Sequence, residues 1–461
     1  MLWMLKFGLR VMKNKLSSLI NPRSVALIGA TERSGSVGSG LVENLWSGRH
    51  KRKLFWVNPN LKEIKGERTY HSILEITEPI DLAVVAVPAE VVPQVVQEAV
   101  SKKVGSIIVI SAGFAETDSA GRQRQDEIVN LTRRSGIPLL GPNCLGLLRP
   151  PIELNASFAP FNPPSGGIAF ISQSGALMNS VIDRSGLENY GFSLLISYGN
   201  GADVSLVDLL WLADRDQSTK VIAIYLEGLD EGREFMEAAR EISSRKPIII
   251  LKAGRTELGQ RAASSHTASL AGSDQVYQAA FKQSGVFSAS SLEELFDWAK
   301  ALEWLPRIEN GLAILTNGGG MGVLATDQAV DQGLLMPELS EATRNRLQKS
   351  DSFAEETIFK NPLDIIGDAD TERYRQAIET LLTQSDVHSL VVIQTKQTMT
   401  NIQENMEVIA QAAQRWPKKA LISVCLPGRL SQMGIKWLEE QRIPNYSDPV
   451  RALRAARVLT N

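Results

Sequence analysis

The feature that most constrains the fold is a repeated pattern, in which a short apolar run ends in a turn of small residues and is followed by a helical pattern. Continuous apolar runs are typical of strands buried on both faces, and their alternation with helices indicates parallel sheets. The runs with this character are residues 24–30, 53–57, 80–87, 105–110, 137–140, 167–171, 192–197, 221–226, 247–252, 312–316, 389–394 and 420–424. The pattern predicts an α/β protein of doubly wound units, which bind ligands at the carboxyl ends of their strands.

With 461 residues, the chain is long enough for about three domains. Hydrophobic residues make up 43% and charged residues 22%, as in globular α/β proteins, and the net charge of −2 provides no basic field for nucleic acid. No apolar stretch of about 18 residues is present, so we expect no membrane span. The two cysteines, Cys144 and Cys425, exclude a disulfide framework and fit a cytoplasmic protein.

The predicted domain boundaries follow the proline-rich and terminal stretches. The apolar and basic start is too short for a signal peptide, so we interpret residues 1–20 as an N-terminal extension. Residues 149–164 contain several prolines and are predicted to be a linker. The expected domains are therefore residues 21–150, 151–306 and 307–461.

Small residues follow each strand of the first unit. A glycine-rich loop with Gly29, Gly35 and Gly38 lies between the first strand and a helical pattern, where helix-terminal N–H groups can hold a diphosphate. The alternative is that such turns only connect elements. The second strand ends in Asn58-Pro59-Asn60 instead of the acidic residue that a nicotinamide dinucleotide site usually needs, which argues against NAD.

The second unit contains the side chains best suited to chemistry. The turn Ser172-Gln-Ser-Gly175 lies between a strand and a helix, which predicts an anion site, and Glu227 follows a neighbouring strand. His266 lies among alanine, serine and glycine residues, where an imidazole is a usable nucleophile that Glu227 could orient. The alternatives are a helix capped by Ser264 or Ser265 with His266 in its first turn, and a solvated loop carboxylate at Glu227.

A third glycine-rich turn, Asn317-Gly-Gly-Gly-Met-Gly322, follows the strand at 312–316. It has the strand-to-helix setting that can bind phosphate. It could equally be a tight turn that packs against a partner subunit.

The motifs, taken in order, resemble the α subunit of nucleoside-diphosphate-forming acyl-CoA synthetases. This family includes ADP-forming acetate–CoA ligase and is related to the succinyl-CoA synthetase α subunit. The resemblance covers the chain from about residue 16 and rests on residues 24–30, 57–59, 110–114, 141–144, 172–177, 199–203, 265–267, 271–274 and 361–364. It implies a Rossmann-like CoA-binding domain followed by two flavodoxin-like ligase domains.

The resemblance also implies the roles of individual residues. His266 corresponds to the phosphorylated histidine and Glu227 to the glutamate that supports it. Phosphate would be bound by Ser172, Gln173, Ser174 and Gly175. The residues that correspond to the CoA-binding positions are Gly29, Ala30, Thr31, Ser36, Val37, Gly38, Asn58, Pro59, Val87, Pro88, Ser111, Ala112, Gly113 and Asn143.

The implied reaction interconverts acyl-CoA, ADP and phosphate with a small carboxylic acid, CoA and ATP. It proceeds through an acyl phosphate and phosphohistidine, and Mg²⁺ accompanies the nucleotide. An ATP-grasp domain is not recognised in this sequence, so the nucleotide would be held by a separate ATP-grasp β subunit in an α2β2 assembly. The resemblance implies no metal site on this chain.

The sequence departs from the family pattern at two positions that carry phosphate-facing lysines, which are Ser36 and Asn60 here. Lys62 and Lys65 are candidate replacements. The missing lysines motivate an alternative function, a catalytically silent CoA-sensing or scaffold protein. An NAD(P)-dependent oxidoreductase is a third alternative, which rests only on the Rossmann-like start.

Overall fold

The computed structural model describes residues 16–266, 273–353 and 357–460. The chain divides into two compact units, Met1–Ser290 and Ser291–Asn461. Within these described ranges, the first unit contains two sheets and the second unit contains one. Among the described residues, no helix is long and apolar enough to span a bilayer.

The first sheet has the strand order β3-β4-β2-β1-β5-β6-β7 and is parallel except for the β3–β4 pair. Its strands are β1 Ser24–Ile28, β2 Lys53–Val57, β3 Glu63–Ile64, β4 Glu67–Tyr70, β5 Leu82–Val85, β6 Ser106–Val109 and β7 Leu139–Leu140. Its helices are α1 Ser17–Ile20, α2 Val37–Ser47, α3 Val92–Ser101 and α4 Ser119–Ser135, and short 3-10 turns occupy Arg49–Lys51 and Ile73–Glu75.

Both faces of the first sheet are covered because its central strands are apolar on both sides. Ala26 and Ile28 of β1 pack in one buried cluster with α3 and α4, whereas Val25 and Leu27 pack in another with α1 and α2. Successive residues of a strand point to opposite faces of the sheet. An apolar strand with no polar residues in alternation must therefore be buried on both faces. The predicted doubly wound unit is confirmed.

The second sheet has the order β14-β13-β12-β10-β11-β8-β9. Its strands are β8 Gly146–Arg149, β9 Leu154–Ser157, β10 Ser165–Ser172, β11 Phe192–Ser197, β12 Val221–Leu226, β13 Ile248–Lys252 and β14 Phe287–Ala289. The helices that follow are α5 Gly175–Leu187, α6 Leu206–Arg215, α7 Gly232–Ser243, α8 Glu257–His266 and α9 Asp274–Gln283, and Pro150–Ile152 form a 3-10 turn.

The linker prediction for residues 149–164 is wrong. Strand β9 lies within this stretch and pairs antiparallel with β8, which ends at Arg149 and pairs antiparallel with β11, so the stretch extends the second sheet. Its prolines lie in the 3-10 turn and beyond β9, where no ladder N–H is lost. The predicted boundary at residue 150 therefore falls between two strands of one sheet, and the division into three domains stays a prediction.

The second unit is a parallel sheet with the order β16-β15-β17-β18-β19. Its strands are β15 Leu312–Thr316, β16 Leu363–Asp364, β17 Ser389–Gln394, β18 Ala420–Cys425 and β19 Asn445–Tyr446. Its helices are α10 Leu292–Trp304, α11 Gly319–Asp331, α12 Glu341–Gln348, α13 Thr371–Thr383, α14 Ile402–Arg415, α15 Gln432–Glu440 and α16 Pro449–Leu459. The three predicted α/β sheets are thus all present.

Candidate functional site

The crevice of the first sheet opens between β1 and β5, where the chain order reverses direction. Gly29 follows β1 with φ of +93°, and a Cβ there would lie 2.2 Å from the carbonyl oxygen of Ala86. A Cβ on Gly38, in the first turn of α2, would lie 2.5 Å from the carbonyl oxygen of Gly29. These glycines allow the N-terminus of α2 to approach the strand ends, which leaves its N–H groups facing a crevice.

The Ser36 hydroxyl is engaged within the loop. It accepts a hydrogen bond from the Ser39 N–H at 3.2 Å and donates to the Arg33 carbonyl at 2.7 Å, so it caps α2. Of the two lysines proposed as replacements, Lys65 forms an ion pair with Glu43 at 2.5 Å. Arg33 is exposed in the same glycine-rich loop and is a further candidate for a phosphate-facing cation.

Other predicted CoA-binding residues lie at the carboxyl ends of neighbouring strands. The Asn58 side chain donates to the Ala30 carbonyl at 2.8 Å and so joins the ends of β2 and β1. The Ser111 hydroxyl donates to the Val87 carbonyl at 2.5 Å and joins the ends of β6 and β5. The remaining predicted residues, Thr31, Val37, Pro59, Pro88, Ala112 and Gly113, lie in the same strand-end segments or at the start of α2.

The two sheets of the first unit meet at Asn143. Its backbone N–H donates to Ser111 at 2.9 Å, and a Cβ on Gly199 would lie 2.3 Å from the Asn143 carbonyl oxygen. The Asn143 side chain donates to Asn200 at 3.3 Å, and Asn200 donates to Glu116 at 2.6 Å. Asn143 therefore connects the predicted CoA crevice with the second sheet.

Glu116 and Asn200 were not predicted as site residues. Burial raises the pKa of Glu116, but hydrogen bonds from Asn200 and from the backbone of Gly113 and Phe114 outweigh burial and lower it. The carboxylate is therefore a stable acceptor that orients Asn200. Asn200 lies inside the recognised 199–203 motif, which was the one available signal.

The predicted phosphate turn lies at the reversal point of the second sheet, between β10 and β12. Ser174 caps α5 by accepting from Leu177 N–H at 3.3 Å, and the Ser172 hydroxyl accepts from Ser174 N–H at 3.1 Å. The first N–H groups of a helix have no intrahelical acceptor, so the start of α5 at Gly175 can bind an anion. A Cβ on Gly175 would lie 3.1 Å from Leu145 Cβ, which places this turn beside the Asn143 segment.

The Gln173 side chain connects the predicted phosphate turn to the backbone of Glu227 and Gly228. Its Oε1 accepts hydrogen bonds from the backbone N–H of Glu227 and, at 3.0 Å, from that of Gly228. Its Nε2 donates to the Gly228 carbonyl at 3.2 Å. Both polar atoms of the side chain are thus engaged within the protein, and direct phosphate binding by Gln173 stays a prediction.

Glu227 is half-buried at the end of β12, next to two tyrosines. Burial raises the pKa of Tyr198 well above its ordinary value, and the negative charge of Glu227 adds to this effect. Burial also raises the pKa of Tyr225, again with a contribution from Glu227. The carboxylate therefore lies in a partly desolvated environment, where its charge acts strongly on a neighbouring cation.

His266 is the last described residue of α8. The alternative in which Ser264 or Ser265 caps a helix is wrong, because α8 already begins at Glu257. The His266 side chain and residues 267–272 lie outside the described part of the structure. The contact between His266 and Glu227 stays a prediction.

The third glycine-rich turn is a close junction in the second unit. The Asn317 side chain donates to the Thr395 carbonyl at 3.0 Å and accepts from the Thr395 N–H at 2.7 Å, which joins the ends of β15 and β17. A Cβ on Gly319 would lie 2.8 Å from Asp364 Oδ2. Phosphate binding and subunit packing both stay predictions for this turn.

Comparison with known proteins identifies the class. The model of a CoA binding domain matches residues 23–150, and that of a succinyl-CoA ligase-like flavodoxin domain matches residues 165–302. Together with the two crevices, these matches define a CoA-binding domain joined to a succinyl-CoA ligase-like domain.

Full-length relatives identify the family. The α subunit of ADP-forming acetate–CoA ligase I from Pyrococcus furiosus is 41% identical over 96% of this chain and 97% of its own length. The ADP-forming acetate–CoA ligase I of Archaeoglobus fulgidus is 40% identical over 96% of this chain, which spans 63% of that protein. The dinucleotide forming acetyl-coenzyme A synthetase 1 of Ca. Korarchaeum cryptofilum, solved with phosphate and ADP, has a TM-score of 0.92 at 38% identity and covers 96% of both chains. The chain belongs to the ADP-forming acetate–CoA ligase family and corresponds to its α subunit.

Proposed function

We propose that this chain is the α subunit of an ADP-forming acyl-CoA synthetase, which interconverts acyl-CoA, ADP and phosphate with a carboxylic acid, CoA and ATP. The observation that supports it best is the junction of the two crevices. Asn143, at the edge of the predicted CoA crevice, is linked through Asn200 to the second sheet, and Gly175 lies beside the adjoining Leu145. A thioester held at the first crevice would therefore lie near phosphate held at the start of α5.

In the proposed reaction, phosphate attacks the thioester carbonyl, the C–S bond breaks, and CoA leaves as an acyl phosphate forms. The imidazole of His266 then takes the phosphoryl group and releases the carboxylate. Glu227 stabilises the cationic imidazole. The phosphoryl group passes from His266 to ADP on an ATP-grasp β subunit, with Mg²⁺ on the nucleotide phosphates.

Two features of the crevices support CoA and phosphate as their ligands. Gly29 and Gly38 permit close approach to the N-terminus of α2, and the start of α5 provides N–H groups for an anion. The described residues include no group of three or more His, Cys, Asp or Glu side chains suited to a metal ion. No step above depends on a metal bound by this chain.

The test is phosphorylation of the chain by γ-labelled ATP in the presence of its ATP-grasp partner and Mg²⁺. We expect acid-labile label on the wild type, none on His266→Ala, and slower labelling of Glu227→Gln. Label retained by His266→Ala would contradict the assignment of the histidine.

The alternative of a silent CoA-sensing or scaffold protein makes a different prediction in the same assay. It predicts CoA binding by calorimetry without phosphorylation in the presence of the partner. Such a result would replace the proposed function.

A further inference from the structure

A buried lysine at the end of β13 lies in the second sheet beside the Glu227 turn, and no role in the proposed reaction has been given to it. Lys252 is 4% exposed. Its Nζ donates to the carbonyl of Glu227 at 2.9 Å and to the carbonyl of Ala253. The same Nζ lies 4.7 Å from the ring centroid of Tyr277 on α9. One ammonium group thus joins the end of its own strand, including the adjoining Ala253, to two other pieces of chain.

Those pieces are the parts that border the candidate histidine. Glu227 follows β12, Ala253 begins the connection from β13 to α8, and Tyr277 lies in α9, after residues 267–272. Arg255 and Asp274 approach each other at 3.8 Å between the same two bordering segments. The start and the end of the stretch that contains His266 are therefore held together at one place.

The contacts of Tyr277 strengthen this connection. Burial raises the pKa of the Tyr277 hydroxyl, and the backbone of Leu229, which belongs to the same turn as Glu227, opposes that rise. Its ring covers the Lys252 ammonium group, an arrangement in which the negative face of the ring attracts the cation. Helix α9 is thus joined to the Glu227 turn through Lys252.

A charge in this position needs its partners, because an unpaired buried ammonium group is strongly disfavoured. Burial lowers the pKa of Lys252, whereas the carboxylates of Asp274 and Glu227 raise it and so favour the cation. The carbonyls and the ring compensate the charge only while the three segments remain together.

We infer that Lys252 is a positioning residue, whose buried ammonium group joins the Glu227 turn to the two segments that border His266. This inference rests on the proposed function. Lys252 acts through the Glu227 backbone and α9.

The test replaces the charge without removing the volume. In the complex with the ATP-grasp subunit, Lys252→Met should slow phosphorylation of His266 by at least about tenfold, because a displacement of about 1 Å can slow a reaction by about 100-fold. The KM for CoA should stay within about twofold of the wild type, because the first crevice is built from other residues. Lys252→Arg should restore part of the rate.

A matched control lies at the opposite end of the same strand. Lys246 is half-buried just before β13, and its Nζ donates to the carbonyls of Ala213 at 3.0 Å and Asp216 at 2.7 Å. Lys246→Met removes a comparable lysine brace far from Glu227, so it should lower stability without slowing phosphorylation.

The outcomes separate the inference from the function on which it rests. A wild type that is never phosphorylated would overturn the proposed function. A phosphorylated wild type with an equally fast Lys252→Met variant, or an equal loss in Lys246→Met, would overturn the role of Lys252. If Lys252→Met does not fold, Tyr277→Leu provides a second variant that keeps the lysine. It should be phosphorylated more slowly while its affinity for CoA is unchanged. An unchanged phosphorylation rate in Tyr277→Leu would count against the inference.

Discussion

The hydrogen bonds between the Gln173 side chain and the backbone of Glu227 and Gly228 predict that replacing Gln173 lowers both stability and activity. Gln173→Ala removes two hydrogen bonds accepted from the N–H groups of Glu227 and Gly228 and one donated to the Gly228 carbonyl. A typical net contribution is about 0.5–1.5 kcal/mol for each bond, and the site is partly exposed. The free energy of unfolding should therefore fall by about 2 kcal/mol, or about 4 °C in Tm for a unit of this size.

The same substitution should slow phosphorylation of His266. Without these hydrogen bonds, the Glu227 turn is no longer held beside the start of α5, so carboxylate and phosphate lose their relative placement. We expect the rate to fall at least about tenfold. Gln173→Glu keeps the acceptor but loses the donor and adds a negative charge beside Glu227, so its stability should lie between those of Gln173→Ala and the wild type.

The assay combines urea unfolding with rapid-quench labelling from ATP in the complex. Asn44→Ala is the control, since the Asn44 side chain also braces backbone, donating to the carbonyls of Ser157 at 2.8 Å and Ala159 at 2.9 Å, away from the phosphate turn. It should lose about 1–2 kcal/mol and keep its labelling rate. A Gln173→Ala variant that loses stability but labels at the wild-type rate would refute the positioning role of Gln173.

Three further predictions concern other parts of the molecule. Arg33→Ala should raise the KM for CoA about fivefold, the equivalent of about 1 kcal/mol for an exposed charge contact, and added salt should reduce the difference; equal KM values would exclude Arg33 from the CoA site. Burial raises the pKa of the Cys144 thiol from 9.0 to about 12, so the unfolded chain ionises first and this stabilisation is lost as the pH rises between those values. Urea unfolding should show a decline of up to about 1.4 kcal/mol per pH unit that is absent in Cys144→Ala, and identical pH slopes would contradict it. Lys300→Met should destabilise the second unit by about 3–5 kcal/mol in urea unfolding, because it breaks the buried ion pair between Lys300 and Glu439 at 2.7 Å; a loss below about 1 kcal/mol would contradict this.

The main strands were predictable because strands that are buried on both faces consist of continuous apolar residues. Strands such as β11, Phe192–Ser197, and β12, Val221–Leu226, agree with the sequence prediction, since strands buried on both faces have no polar alternation. Strands without such a run were missed. Strand β4 is Glu-Arg-Thr-Tyr, β8 ends where the predicted linker begins, and β9 lies inside the stretch whose prolines suggested a linker.

In the candidate site, too, some features were predictable from the sequence and others were not. Turns such as Ser172–Gly175 were predictable, because a strand end, a capping serine and a helix start are local in sequence. The roles of Gln173, Lys252 and Asn200 were not. Their key bonds reach 54, 25 and 84 residues along the chain, respectively.

The amino-acid sequence by itself determined the α/β class, the strand ends proposed as ligand sites, and, through the family resemblance, the histidine and glutamate of the proposed reaction. Only the tertiary structure decided that β8 and β9 extend the second sheet, that Gln173 holds Glu227, and that Lys252 joins the segments that border His266. The physical reason is that hydrophobic burial and helix capping depend on neighbouring residues, whereas the partner of a polar side chain depends on which distant strands the fold places side by side.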